Sequence, residues 1–248
     1  MNKENLQYLQ NTVKFLGFEE SLLSEMQRQM KEDAPEFQLK ATGHFNRDEV
    51  GALLYFRKSE KTDFYFFNKF DLVVLHDKEP EKDRSQTFFI HGGSGVTFKE
   101  AYNLLEGRAV YKTLLDQEGK KYQAWMQLDF SKVDANGNYR LRYFYSSYGY
   151  DLERTLSAFP IRELGNEDEK EMLIISLNRG NRQLVSFLTA GREQRMYIEA
   201  APQFKSLNVY DGALTRVRQA FRPDIGKENS PAADGASTGD GAGGNLPG

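Results

Sequence analysis

The sequence predicts an α+β protein: an N-terminal helical hairpin followed by a largely antiparallel sheet and two helix-strand-strand repeat units. Three observations carry this. Before residue 35 the apolar residues recur at helical spacing. From Phe37 to Ile90 they fall instead into short β-branched and aromatic runs separated by polar stretches. After that, a helix signal followed by strand signals occurs twice, over Thr97–Phe144 and again, in degraded form, over Glu167–Tyr210.

Residues 1–34 read as the helical hairpin. Leu6, Leu9, Val13 and Leu16 form one apolar stripe, Leu22, Leu23, Met26 and Met30 a second, and Gly17 is suited to the stop between them. A helix-turn-helix DNA reader fits poorly, because the second helix offers only Arg28 and Lys31 as cations for phosphate. Residues 35–96 read as an antiparallel strand meander. Val50–Phe56 and Asp63–Asn68 form a hairpin, Phe70–Leu75 continues or restarts the sheet, and Gln86–Ile90 supplies a further strand. The glycines of His91–Gly95 (HGGSG) suggest an anion loop, but neither the Lys-Ser/Thr of a P-loop nor the three spaced glycines of a dinucleotide loop is present. A strand-to-helix turn is the simpler reading.

Residues 97–160 form the first helix-plus-hairpin unit. Thr97 and Glu100 make a capping box, Gly107 closes the helix, and a strand passes through Val110. Tyr122, Ala124, Met126, Leu128 and Phe130 then share one strand face with Trp125 opposite, and Asn136-Gly137 turns the chain into a partner strand over Tyr139–Tyr145. A connector helix over Asp151–Phe159 leads to the second unit, residues 161–223, which opens on Asn166 and Glu169, stops its helix at Gly180 and aligns Gly191 with Gly119. Residues 224–248 are small and polar and are expected to form a disordered tail, since such a composition does not offset ordering entropy.

Composition bounds the function. The 248 residues, 39% hydrophobic and 13% aromatic, suffice for a sizeable core. With no cysteine there is no disulfide, thiolate zinc site or cysteine nucleophile. The opening MNKENLQYLQ has no apolar signal core and no run approaches the roughly 20 apolar residues of a membrane helix, so a cytoplasmic protein is expected. A net charge of -3 argues against coating nucleic acid by bulk electrostatics and confines any such role to a local patch.

Catalytic signals are weak. His44, His76 and His91 lie in separate segments without metal-ligand spacing, and no serine sits in a nucleophile elbow, so no catalytic, metal or cofactor residue is predicted. The alternative of a magnesium-dependent enzyme acting on nucleic acid would need scattered carboxylates such as Asp129 and Glu199 to converge. The most suggestive surface is basic and aromatic. Arg140, Arg142 and Phe144 alternate onto one strand face, and Arg108, Lys112, Lys120 and Lys121 belong to the same unit, so together they could form a partner or nucleic-acid contact.

Six phrases carry a family resemblance: YFFN at Tyr65–Asn68, LLEGR at Leu104–Arg108, WMQLDF at Trp125–Phe130, YGYDLE at Tyr148–Glu153, and IEAAPQFK at Ile198–Lys205 with NVYD at Asn208–Asp211. They resemble uncharacterised proteins of conjugative and mobilisable elements of Bacteroidetes, over the first helix to about Arg222. The helix-plus-strand units are similar to repeated domains of unknown function found in those elements near relaxase, primase and topoisomerase genes. The resemblance implies a non-enzymatic accessory or adaptor protein of a mobile element that binds a protein partner or nucleic acid. An inhibitor of a host protein is a further alternative. It brings no functional residues with it.

Overall fold

The computed structural model of the chain describes residues 1–91, 95–116, 118–189 and 191–217. The middle of the HGGSG stretch and the tail expected to be disordered lie outside them. The described residues form an α+β structure with five α-helices and three antiparallel sheets. None of these helices is long and apolar enough to cross a membrane.

Helices α1 (Lys3–Phe15) and α2 (Leu22–Lys31) make the N-terminal hairpin. The Asn2 side chain accepts from the Asn5 amide to start α1, and Gly17, at φ +82°, takes the left-handed conformation that stops it. The predicted stripes are buried, with Leu23 only partly so.

Strands β1 (Glu36–Phe45), β2 (Asp48–Lys58), β3 (Tyr65–Leu75) and β4 (Arg84–Phe89) form a meander in sequence order. The pause expected near residue 69 is a bulge: Tyr55 pairs with Lys69 but Phe56 with Phe67, so Asn68 is the extra residue of one continuous strand. The inner face, with Phe37, Leu39, Leu54, Phe56, Phe70 and Leu72, packs on the helices. On the outer face Asp71 accepts from the Tyr55 hydroxyl at 2.6 Å and the Thr87 hydroxyl at 2.6 Å.

Helix α3 (Phe98–Leu105) opens with the Thr97–Glu100 capping box, both reciprocal bonds being present. It leads into β5 (Val110–Leu115), β6 (Lys121–Val133) and β7 (Tyr139–Tyr145), which form the second sheet. After α4 (Leu152–Ser157) comes α5 (Glu167–Asn178), then β8 (Gln183–Thr189), β9 (Arg192–Ala201) and β10 (Ser206–Tyr210) in the third sheet.

Each of the two later helices contacts its own sheet and the preceding one, α3 reaching back to β3 and β4 and α5 to β5. The middle sheet is therefore covered on both faces. Val110, Met126 and Leu128 belong to the first core, whereas Ala109, Trp125 and Phe144 belong to a second core with α4, α5 and the third sheet. The alternation that set Trp125 opposite the apolar face of β6 is real, but the opposite face is core too. Trp125 packs against Tyr111 at 5.3 Å and edge-on to Tyr150 at 5.4 Å.

Two helix ends meet at the seam between the layers. The Asn103 amide donates to the Arg179 carbonyl at 2.7 Å and to Asn181 Oδ1 at 2.9 Å. Gly180 sits so close that an added Cβ would lie 2.9 Å from the Ala109 carbonyl oxygen.

Candidate functional site

The basic and aromatic residues singled out in the first unit do not gather on one face. Arg108 is buried, its guanidinium donating to Asn103 Oδ1 at 2.8 Å and lying 5.1 Å from the centre of the Tyr102 ring. Lys112 is neutralised by Glu100 at 2.9 Å. Arg142 donates to Gln203 at 3.1 Å and stands 3.9 Å from Asp129. Phe144 is not a stacking platform: at 8% exposure it packs edge-on to Tyr148 inside the second core, because the third sheet and α4 cover that end of the face.

Lys120, Lys121 and Arg140 are exposed. Lys121 opens β6, whereas Arg140 pairs with Asp129 further along it. That separates them by roughly 25 Å at about 3.3 Å per residue. Such a spread leaves an adjacent lysine pair and a distant arginine rather than a phosphate-tracking stripe.

The carboxylates considered for an enzyme keep separate company. Asp129 accepts from the Ser131 hydroxyl at 2.6 Å and its amide at 3.1 Å, which hold its carboxyl below the usual range. Glu199 is buried in the third sheet, where Arg182 Nε donates to it at 2.6 Å and the Tyr210 hydroxyl at 2.8 Å. Every polar atom of that carboxylate is engaged, and burial pushes the Tyr210 hydroxyl up to about 12, with the Glu199 charge and hydrogen bond adding to the shift.

A different cluster forms at the C-terminal end of α3. Asp48 at the start of β2, His76 just beyond β3 and Glu106 at the end of α3 bring one ligand atom each within 4.8 Å of one another. His76 Nε2 lies 2.9 Å from Glu106 Oε1. The His76 backbone N–H donates to Asp83 Oδ1 at 2.8 Å, and its ring Nδ1 stands 3.5 Å from the same oxygen. Asp48 Oδ2 accepts from the Tyr102 hydroxyl at 2.6 Å, and that hydroxyl accepts from Asn46 Nδ2 at 3.1 Å.

Cations complete the cluster. Arg108 Nη1 approaches Glu106 Oε2 at 4.0 Å. The Lys99 ammonium lies over the rings of Phe45 and Tyr102, at 4.1 and 4.4 Å. Burial, reinforced by Arg108, lowers Lys99 to about 8 against the opposing pull of Asp48 and Glu106. Burial also raises Tyr102 to about 12, with the hydrogen bond to Asp48 second. An imidazole, two carboxylates and a lysine near neutrality can hold a cation or move a proton. No local spacing in the sequence announces this group, since its members come from three elements joined only by the fold.

One surface feature is apolar. Between α1 and β3 runs a groove of about 460 Å³, whose lining includes Tyr8, Leu9, Thr12, Phe64, Phe66 and Ile90. Tyr8 is 50% exposed and Phe66 52%. Asn5 anchors the groove by accepting from the Tyr65 amide at 2.7 Å and donating to the Tyr65 carbonyl at 3.0 Å. No family model matches the chain, and neither a curated protein nor a solved structure proved similar to it.

Proposed function

We propose that this chain is a non-enzymatic accessory protein of a bacterial mobile element, acting in the cytoplasm, and that it binds a partner protein through the groove between α1 and β3. The observation that carries this reading is the exposed aromatic lining, Tyr8, Phe64 and Phe66, around about 460 Å³ of open space. That volume suits one or two bulky apolar anchors of a partner segment. Exposed apolar surface gathered in one concavity is a common mark of recognition. The resemblance to mobile-element proteins of Bacteroidetes supplies the biological setting, and the dispersal of the predicted basic stripe favours a protein over a nucleic acid.

The two later layers are read as one unit used twice as a scaffold. Support comes from the shared order of helix and three antiparallel strands, and from helix stops on glycines with the same φ of +78° at Gly107 and Gly180.

Site-specific photo-crosslinking tests the reading. A benzoylphenylalanine placed at Tyr8 or at Phe66 is expected to trap one discrete protein in cells carrying the element, and the same group at the exposed Met172 of α5 is not. Equal labelling from all three positions defeats the proposal. So does its absence combined with DNA affinity that falls steeply with salt in the purified chain, which would place the protein on nucleic acid.

A further inference from the structure

We propose that Asp48, His76 and Glu106 form a binding site for a divalent cation of the zinc class, which pins the end of α3 to the β1–β2 hairpin and to the end of β3. The donor set is of the right chemistry. Zinc takes imidazole nitrogen and carboxylate oxygen at about 2.0–2.2 Å, which places neighbouring ligand atoms roughly 3–3.5 Å apart. His76 Nε2 and Glu106 Oε1, at 2.9 Å, already stand close to that spacing, and the Asp48 oxygen lies within 4.8 Å of both. A carboxylate movement of about 1–2 Å closes the triangle, and water fills the remaining position of a four-coordinate ion.

The orientation of His76 is the second, independent observation. Its side chain is nine-tenths buried, and its Nδ1 has no hydrogen-bond partner although the Asp83 carboxylate stands 3.5 Å away. The same Asp83 oxygen fixes the His76 backbone N–H at 2.8 Å. A carboxylate 3.5 Å behind one ring nitrogen, with the other nitrogen facing an acidic oxygen, approaches the arrangement in which a hydrogen-bonded carboxylate orients a metal-bound histidine. Glu106 is approached by Arg108 at 4.0 Å on Oε2, which leaves Oε1, the oxygen beside His76 Nε2, for the ion, and Asp48 is held by Tyr102 at 2.6 Å on Oδ2.

Arg108 and Lys99 oppose a cation. Lys99 is the more yielding of the two, because burial already weakens its hold on the proton. The imidazole selects against magnesium and calcium, which prefer all-oxygen sites.

The test uses the full chain without an affinity tag, stripped with chelator and titrated calorimetrically with zinc chloride. One equivalent is expected to bind and to raise the thermal midpoint, whereas magnesium chloride at the same concentration does neither. Asp48→Asn, His76→Gln and Glu106→Gln should each weaken zinc binding by at least about tenfold, and Asp83→Asn by about 10–100-fold. His44→Gln should leave it unchanged. Should His76→Gln fail to fold by circular dichroism, Asp48→Asn, beside the turn at Asn46, decides in its place. Absence of stoichiometric binding overturns the site and leaves an internal His76–Glu106 contact. Binding that survives both Asp48→Asn and Glu106→Gln overturns it equally, by placing the ion elsewhere.

Discussion

Helices α3 and α5 end alike and then diverge. Each stops on a glycine at φ +78°, with the glycine amide bonded back three residues, Gly107 to Leu104 and Gly180 to Leu177. The next amide bonds back five, Arg108 to Asn103 and Asn181 to Ser176. Beyond α5 the chain builds a closed ion pair, with both Glu199 oxygens satisfied by Arg182 and Tyr210. Around the end of α3 it builds an open group in which His76 Nδ1 and Arg108 Nε lack hydrogen-bond partners and two carboxylates face an imidazole. The same local stop serves two ends. A satisfied buried pair holds layers together, while incompletely satisfied polar groups are where a ligand has something to gain.

The largest effect expected from this contrast is at Glu199. Glu199→Ala leaves Arg182 and the Tyr210 hydroxyl without their acceptor in a buried setting and should cost about 3–5 kcal/mol in urea unfolding. Glu106→Gln, in metal-free protein, should cost about 1 kcal/mol, because Glu106 is 19% exposed and Arg108 lies at 4.0 Å rather than in hydrogen-bond contact. Equal losses at the two positions would show that both groups are merely structural.

The two glycines give the next contrast. An alanine at either pays for a left-handed backbone, about 1–2 kcal/mol. At Gly107 the new methyl meets only the Phe130 ring at 3.2 Å, whereas at Gly180 it meets the Ala109 carbonyl and Val110 at 2.9 Å. Backbone and a packed valine cannot step aside as a ring can, so Gly180→Ala should cost about 1–3 kcal/mol more than Gly107→Ala. Thermal or urea unfolding of the pair measures this directly. Equal losses would mean that the layers separate easily at the seam.

What was legible in the sequence was local. The capping box at Thr97, the stops at Gly17, Gly107 and Gly180, and the Asn136-Gly137 turn each depend on a few neighbouring residues, and the chain forms them where expected. The antiparallel meander followed from its alternating runs, though the bulge at Asn68 did not. Burial by a distant layer was not legible. Arg140, Arg142 and Phe144 alternate as an open face would, yet the chain some 60 residues later supplies Gln203 to Arg142, and α4 and the third sheet enclose Phe144. For the same reason Asp48, His76 and Glu106 carried no signal, since only the packing of α3 beside the ends of β2 and β3 brings them together.

The smallest expected effect is a pH dependence confined to the closed pair. Tyr210 is raised to about 12 in the folded chain from an ordinary value of 10, chiefly by burial and then by Glu199. The fold therefore favours the neutral hydroxyl. Its stabilisation is complete below pH 10 and is lost as pH rises from 10 towards 12, because the unfolded chain gives up this proton first. Tyr210→Phe should cost about 1 kcal/mol at neutral pH for the lost hydrogen bond to Glu199. It should also flatten the fall of stability between pH 10 and 12, so that the difference between wild type and variant closes within that window and then reverses. Urea unfolding of both chains at several pH values provides the comparison. Parallel curves would mean that the hydroxyl reaches solvent, and that the end of α5 is as open as the end of α3.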